Sequence, residues 1–264
     1  MRVAVISSEE LVGKSNTIIL LASLFARTQR KRVTIFSTGD MTNILKSVET
    51  KTLENNLITS PPVFRAVLQS HDLINDELFD YAIRIGEEEV YAFNIWGQSI
   101  AEHELQELTL ETLKRVNTPL VLVEVNGDLN SEYNKAVMEN VDAYLYIFNT
   151  NFKSIENLQA YMKSGNRRMI NRTGIICQKY NPKIISEKKL AALVGTAARN
   201  FLTIPYNAVY EKHALEGNLN IVAKHIANGN PEVVKSRIKL LEIMQWLFDS
   251  PKNKYILGID KWYT

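Results

Sequence analysis

The 264-residue chain is 45% hydrophobic and 23% charged, so it can bury a large core, either as one α/β domain or as two small ones. Its formal net charge of +2 does not by itself indicate binding to nucleic acid. The single cysteine, Cys177, excludes an internal disulfide and a thiolate metal cluster built by one chain, which favours a reducing, cytoplasmic compartment. No apolar run approaches the ~20 residues that cross a bilayer. Glu9 and Glu10 directly follow the first short apolar run, so we do not expect a signal peptide.

Apolar segments and helical segments alternate along the chain. Short apolar, β-branched runs predict strands at residues 2–7, 32–36, 90–95, 120–125, 143–148, 173–177 and 201–204. Helical periodicity predicts helices at residues 14–27, 102–116, 132–140, 154–163, 186–197 and 232–248. The stretch 50–86 has a polar, helical pattern without a clear strand. This alternation predicts an α/β fold, with a mainly parallel sheet and helices on both faces. We expect a single domain over residues 1–264, with a C-terminal helix and tail at about 232–264.

The loop between the first predicted strand and the first predicted helix carries the most specific motif. It reads Ser8-Glu9-Glu10-Leu11-Val12-Gly13-Lys14-Ser15. In a strand, loop and helix that meet at Gly-Lys-Ser, backbone N–H groups hold phosphate, the lysine reaches the terminal phosphates and the serine binds Mg²⁺. The motif requires glycine where this chain has Ser8, and the loop interior is acidic instead of glycine-rich. The sequence therefore predicts a nucleotide-binding site with altered chemistry.

The order of motifs resembles the ParA/MinD group of deviant P-loop ATPases over nearly the whole chain. In that group the loop reads Lys-Gly-Gly-Val-Gly-Lys-Ser/Thr, and residues 9–15 align with it. The further matches, in chain order, are Val141 to Ile147, Ser154-Ile155, Gln178-Lys179-Tyr180-Asn181-Pro182, Ile204-Pro205-Tyr206-Asn207 and Glu216-Gly217-Asn218. The resemblance implies the P-loop fold of this group and, as cofactor, ATP or ADP with Mg²⁺.

The resemblance also assigns roles to the residues that match these motifs. The residues that would bind nucleotide are Val12, Gly13, Lys14, Ser15, Asn16, Gln178, Pro205, Tyr206 and Asn207. Asn16 is a feature that the chain shares with the flagellar-number branch of the group. Ser15 and Glu124 would hold Mg²⁺, and Glu124 stands where the group has an aspartate.

Two parts of the chain depart from the family pattern. Glu9 occupies the position of the signature lysine, which in this group reaches across a dimer to the partner's phosphates. Glu9 and Glu10 either swing into solvent or hold a divalent metal or a basic group of a partner. Ser37 and Gly39 occupy the positions of an Asp-x-Asp motif whose second aspartate positions the attacking water. Asp40 is the candidate catalytic residue if the loop is shifted, and the alternative is a simple turn at Gly39-Asp40.

These departures predict a hydrolysis-poor protein that binds nucleotide weakly and localises or scaffolds a cellular machine. Pilus or secretion assembly is the first candidate, by analogy with the TadZ or CpaE localisation proteins, which are often degenerate in this loop. The alternative is an active ATPase for plasmid or chromosome partition, or for placing flagella or the division site.

The resemblance also bears on partners and location. We expect a homodimer and a protein partner in a membrane-associated machine. Two basic runs are either solvated turns or contacts to DNA or an anionic membrane; they are Arg27, Arg30, Lys31 and Arg32, and Lys163, Arg167, Arg168 and Arg172. The expected location is the cytoplasm, including the inner face of the membrane for a peripheral protein.

Overall fold

A computed structural model describes residues 1–48, 68, 77–95, 101–165 and 167–248. The strands are β1 (Arg2–Ile6), β2 (Val33–Ser37), β3 (Ile83–Arg84), β4 (Val90–Phe93), β5 (Leu120–Glu124), β6 (Ala143–Phe148), β7 (Thr173–Tyr180) and β8 (Phe201–Pro205). The helices are α1 (Lys14–Gln29), α2 (Thr42–Lys46), α3 (Glu102–Arg115), α4 (Glu132–Glu139), α5 (Phe152–Ser164), α6 (Arg167–Ile170), α7 (Glu187–Leu193), α8 (Ala208–Leu215), α9 (Leu219–Ala227) and α10 (Val234–Phe248).

The strands form one sheet in the order β3-β4-β2-β5-β1-β6-β7-β8. β3 pairs antiparallel with β4, and the other neighbouring pairs are parallel. β1 lies at the centre, where Val3 faces Leu122 of β5 on one side and Ala143 of β6 on the other. Because parallel strands end at a common edge, this order brings the loops after β1, β2 and β5 together.

Helices cover both faces of the sheet, which explains why the strands are continuously apolar. Val3 and Val5 of β1 face a buried cluster that includes residues of α1, α9 and α10. Ala4 and Ile6 face the opposite cluster, which includes residues of α3, α4, α5 and α7. Successive side chains of a strand point to opposite faces, so each face needs its own apolar layer. These two layers confirm the predicted fold class.

α1 is the helix that fixes the loop after β1 against the sheet. All residues from Thr17 to Ala26 on this helix are buried. Full burial of one Leu, Ile or Phe side chain contributes about 1.5–3 kcal/mol. Truncating Leu21, which is completely buried, to alanine would therefore cost about 2–5 kcal/mol.

The predicted strands and helices are present, with shifted ends. The strand predicted at 173–177 continues to Tyr180, with a shift of register after Cys177. The helix predicted at 186–197 ends earlier, at Leu193, and Gly195 follows it with a left-handed φ of 74°. The helices α2, α8 and α9 were not predicted, and the five residues of α2 are too few to show a clear helical period.

The prediction that the stretch 50–86 lacks a strand is wrong at its end. β3 lies there, and two residues are too few to show the alternation that identifies a strand. A 3₁₀ helix, Glu77–Tyr81, precedes β3. The predicted helical residues 50–67 and 69–76 lie outside the described residues, as does the predicted tail from 249 to 264.

Cys177 lies on β7 with no exposed surface, within the cluster on the α3, α4, α5 and α7 face. Burial raises the pKa of its thiol to about 12. At neutral pH it is therefore an unreactive, protonated side chain that packs like a small hydrophobic residue.

The longer helices α1 and α10 have 16 and 15 residues. In the part of the chain that the structure describes, no helix has both the length and the apolar character needed to cross a bilayer.

Candidate functional site

A cavity of about 780 Å³ opens where the loops after β1, β2 and β5 meet. Its lining residues are Ser7, Ser8, Glu9, Glu10, Leu11, Gly13, Lys14, Ser15, Asn16, Asp40, Lys46, Ser47, Glu124, Asn126, Gly127, Ala214 and Leu215. The volume lies in the usual range for small-molecule sites, and the carboxyl edge of a parallel sheet is their usual place.

The cavity brings together most, but not all, of the residues assigned from the sequence. Those that line it are Gly13, Lys14, Ser15, Asn16, Asp40 and Glu124. Those that do not are Val12, Gln178, Pro205, Tyr206 and Asn207. The first set lies at the start of α1 and the ends of β2 and β5, whereas most of the second set lies at the ends of β7 and β8.

The start of α1 presents backbone donors to the cavity. Gly13 is the N-cap residue and has a φ of 93°, a left-handed conformation that favours glycine. No side chain caps this end of the helix. The first N–H groups of α1 therefore lack a capping side chain, and with the helix dipole they form a site suited to an anion.

Lys14 is the buried cation of the cavity. Its side chain is 8% exposed, and Nζ donates a hydrogen bond to the carbonyl oxygen of Val125 at 2.7 Å. Burial lowers the pKa of Lys14, while the charges of Glu124 and Glu10 oppose that shift. Because burial penalises its positive charge, an anion bound beside Lys14 would be stabilised.

Ser15 and Glu124 meet across the cavity floor. The Ser15 hydroxyl donates to Oε1 of Glu124 at 2.6 Å, and Glu124 is only 2% exposed. A hydroxyl and a carboxylate are the hard oxygen ligands that Mg²⁺ accepts, together with phosphate oxygens and water. Within the described ranges, no group of three His, Cys, Asp or Glu residues could hold a metal. The pair therefore fits a magnesium ion that shares its coordination with a bound phosphate.

Asn126 fills the space between the ends of β2 and β5. Its Nδ2 lies 3.0 Å from Ser37 Oγ and 3.3 Å from Glu124 Oε2. Its backbone N–H donates to the Thr38 hydroxyl at 3.0 Å. A Cβ at Gly39 would lie only 3.2 Å from Cβ of Asn126. Neutral groups thus occupy the place next to Glu124 where the family pattern carries aspartates.

Asp40 lines the cavity, but its carboxylate is engaged locally. Oδ1 accepts from the backbone N–H of Thr42 at 2.9 Å, and the carboxylate also accepts from the Thr42 hydroxyl at 2.6 Å. This is the geometry of a turn in which an aspartate side chain caps the following residues, here at the start of α2. It matches the turn that the sequence left as the alternative to a catalytic Asp40.

Glu9 points away from the Gly-Lys-Ser end of the loop. Its Oε2 accepts from the Ser154 hydroxyl at 2.8 Å, and its Oε1 accepts from Asn157 Nδ2 at 2.9 Å. Both partners lie near the N-terminus of α5, where the helix dipole favours a negative charge. Glu9 therefore differs from both expected alternatives, because it is half-buried and bonded to a helix of its own chain.

The residues assigned from the ends of β7 and β8 make structural contacts. Gln178 is 2% exposed, and its Nε2 donates to the Thr17 hydroxyl. Asn207 caps α8, because its Oδ1 accepts from the N–H groups of Val209 at 2.9 Å and Tyr210 at 3.2 Å. Tyr206, by contrast, is 59% exposed. Gln178 thus positions the start of α1, and Tyr206 remains open to a ligand.

The two basic runs contain residues that are already bonded within the chain. Arg27 pairs with Glu88 at 2.6 Å. The guanidinium of Arg172 donates to the carbonyl oxygen of Asp142 and lies over the ring of Tyr144. These contacts give both residues a structural role that does not require an external anion.

Sequence reasoning missed four residues of this region, namely Asn126, Ser154 and Asn157 as partners and Lys46 as a lining residue. The spacing of Ser154 and Asn157 offered a signal, because residues three apart on a helix lie on the same face. Lys46 offered none, since it stands on a five-residue helix that was not predicted.

No protein-family model matches the chain, and no curated protein matches its sequence significantly. Solved structures do match. A ParA family ATPase from Chlorobium tepidum is 12% identical with a TM-score of 0.68, covering 92% of this chain and 97% of that one. The septum site-determining protein MinD from Pyrococcus horikoshii, complexed with Mg-ADP, is 14% identical with a TM-score of 0.68, covering 97% and 98%. A plasmid partition protein from Borrelia burgdorferi, bound to AMPPNP, is 18% identical with a TM-score of 0.58, covering 92% and 97%.

At these low sequence identities the structural match shows the fold alone, and it runs over nearly the full length of both chains. The fold expected from the order of the motifs is thereby confirmed. The chain has the fold of the ParA/MinD group of P-loop ATPases.

Proposed function

We propose that this protein binds a nucleotide, hydrolyses it poorly and localises or scaffolds a cellular machine, with pilus or secretion assembly as the first candidate. The asymmetry around Glu124 is the observation that supports nucleotide binding with poor hydrolysis, whereas the localising role is proposed by analogy. Toward α1 this carboxylate meets the hydroxyl of Ser15, as a magnesium site requires. Toward β2 it meets the amide of Asn126, in a place without another carboxylate among the described contacts.

Binding depends on the start of α1. The N–H groups there and the ammonium of Lys14 would hold the phosphates of ATP or ADP. Ser15 and Glu124 would hold Mg²⁺, which when bound neutralises phosphate charge. Solved structures of the same fold hold Mg-ADP and AMPPNP, which supports a nucleotide in the corresponding cavity. Tyr206 is exposed and is our candidate for contact with the base.

Hydrolysis requires a group that orients water on the terminal phosphate. Position 37 is a serine bonded to Asn126, and position 39 is a glycine with Asn126 packed against it. Asp40 is held by Thr42. Turnover by the isolated protein should therefore be negligible.

Assembly should also differ from a nucleotide-driven dimer. In the family pattern a lysine at position 9 reaches the partner's phosphates, whereas here Glu9 is bonded to α5 of its own chain. We propose a homodimer that forms without nucleotide, and a protein partner in a membrane-associated machine at the inner face of the membrane. DNA is not part of the proposal, because Arg27 and Arg172 are bonded internally.

Calorimetry with ATP and ADP in the presence of Mg²⁺ tests the site. The wild type should bind weakly, and Lys14→Ala should weaken binding by about 100-fold, because phosphate loses a charge-assisted contact. Equal binding heats in the two proteins would overturn the assignment of the site. Steady hydrolysis that disappears in both Lys14→Ala and Asp40→Ala would make Asp40 catalytic, and would favour an active ATPase.

Light scattering with and without ATP tests the mode of assembly. The wild type should have the same mass under both conditions. A monomer that dimerises only with ATP would contradict the proposal and would favour a cycling ATPase of the partition or division-site type. ATP-dependent dimerisation gained only in Glu9→Lys would identify position 9 as the lost switch.

A further inference from the structure

Two lysines line the cavity, and the second one is not part of the Gly-Lys-Ser loop. Lys14 lies at the floor and is buried, whereas Lys46 stands on α2 and is exposed. The amine of Lys46 makes no ion pair in the part of the chain that the structure describes. A cation that lines an open cavity without an acidic partner is available to an anionic ligand.

Lys46 is carried by a backbone that is fixed on two sides. Met41 and Ile44, which are completely buried, anchor α2 in the core. The carbonyl oxygen of Ser47 accepts from the N–H of Leu219 at 2.9 Å. The turn between α8 and α9 approaches so closely that a Cβ at Gly217 would lie 2.7 Å from the carbonyl oxygen of Lys46. The position of the Lys46 backbone at the cavity is therefore set by the fold.

The charges around the cavity explain why a second cation is needed. Four acidic side chains line it, namely Glu9, Glu10, Asp40 and Glu124. Against these stand two lysines among the described lining residues, Lys14 and Lys46. A nucleoside diphosphate or triphosphate adds several negative charges. Glu9 stands where the family pattern has a basic residue, so without Lys46 the described lining would offer the phosphates only one lysine, Lys14.

We propose that Lys46 is a second phosphate-binding residue of the cavity, acting from within the same chain and specific for the polyphosphate of a nucleoside diphosphate or triphosphate. This inference rests on the proposed nucleotide site and adds a residue to it. Lysine suits the role, because its flexible stem carries a compact charge that can reach phosphate from the rim.

The test compares Lys46→Met with Lys188→Met, a matched variant at an exposed lysine of α7 that does not line the cavity. Mg-ADP, AMP and pyrophosphate are titrated into each protein by calorimetry. Lys46→Met should weaken binding of Mg-ADP and of pyrophosphate by about three- to tenfold, and that of AMP less, since an exposed charge contact is modest. Lys188→Met should bind all three like the wild type, and Lys46→Arg should retain most of the affinity.

The outcomes separate this inference from the proposed function. If the wild type binds Mg-ADP and Lys46→Met binds it equally well, the role of Lys46 is refuted and the site itself stands. If the wild type and Lys14→Ala both fail to bind, the nucleotide site is refuted and Lys46 loses its role with it. An equal loss for AMP and Mg-ADP would also contradict specificity for a polyphosphate. Unchanged thermal unfolding of Lys46→Met excludes a loss caused by misfolding.

Discussion

The loop after β1 is held by different parts of the molecule at its first end, Ser8 and Glu9, and at its second end, Lys14 and Ser15. At the second end, Lys14 and Ser15 contact the end of β5 and face the cavity. At the first end, Glu9 contacts α5, and the N–H of Ser8 lies 3.3 Å from the hydroxyl oxygen of Tyr146. The second end keeps the groups that a phosphate and Mg²⁺ require, whereas the first end is bonded to its own chain.

This difference bears on whether a phosphate can bind at Lys14 in a loop that also carries Glu9. A carboxylate beside phosphate would oppose binding, since like charges about 4 Å apart repel by about 4 kcal/mol at an effective dielectric constant of 20. The contacts of Glu9 with Ser154 and Asn157 hold that charge at α5 instead. The replacement of a basic residue is therefore compatible with a phosphate at Lys14.

The largest expected effect is at the second end. Glu124→Ala should lower the free energy of unfolding by about 3 kcal/mol, because it leaves the buried Lys14 without its neighbouring carboxylate and Ser15 without its acceptor. Urea denaturation measures the loss. Glu139→Ala, at an exposed glutamate of α4, is the control and should change stability by less than about 0.5 kcal/mol. An equal loss of stability in the two variants would show that Glu124 does not stabilise this end of the loop.

A smaller effect is expected at the first end. Glu9→Ala should cost about 1–2 kcal/mol, because two hydrogen bonds to a carboxylate are lost at a partly exposed position. Its exposed neighbour provides the control, and Glu10→Ala should be nearly neutral. A double-mutant cycle with Asn157→Ala should show coupling, and strict additivity would mean that the contact with α5 contributes nothing.

Substitution of Leu11, which lies between the two ends, should raise the stability instead of lowering it. It has a left-handed φ of 56° and its side chain is 94% exposed, so it carries backbone strain without gaining burial. Leu11→Gly should stabilise the protein by about 0.5–1 kcal/mol, the relief of strain less the added entropy of the unfolded chain. Glu10→Gly should destabilise it, since φ at position 10 is not positive. A loss of stability in Leu11→Gly would mean that the leucine side chain is needed for contact.

The smallest expected effect is on the pH dependence of stability, and it concerns Lys14 at the second end of the loop. Burial lowers the pKa of Lys14 in the folded protein below its ordinary value of 10.5. At pH values between the folded-state pKa and 10.5, the unfolded chain therefore binds more protons than the native one. The contribution of Lys14 to stability therefore rises as the pH rises toward 10.5. The free energy of unfolding of the wild type minus that of Lys14→Met, measured by urea denaturation, should therefore increase with pH. Lys188→Met should give a difference that does not change with pH, and the same flat result for Lys14→Met would contradict its burial.

The second end of the loop could be predicted from sequence because its parts are contiguous. A strand, a loop and a helix that meet at Gly13, Lys14 and Ser15 are visible within a single stretch. Glu124 could be placed because it ends an unmistakable apolar strand. Central strands and long helices were identified for the same reason, since burial on both faces leaves continuous apolar runs.

The first end could not be predicted, because its contacts join distant parts of the chain. Glu9 meets Ser154 and Asn157 across 145 and 148 positions, and no local pattern records such a pairing. Lys46 depends on a five-residue helix, and its place at the cavity is set by packing against Gly217. Short elements and long-range polar contacts are decided by tertiary packing, which propensity alone does not reveal.

Cys177 gives the folded protein an unusual experimental property. It is the one thiol in the sequence, and it is completely buried with a pKa raised to about 12. Thiol reagents act on the exposed thiolate, so the native protein should remain unlabelled while the unfolded chain reacts. The rate of labelling would therefore measure how readily the sheet opens around β7. A cysteine introduced at an exposed position such as Phe152 would accept a fluorophore at that site alone.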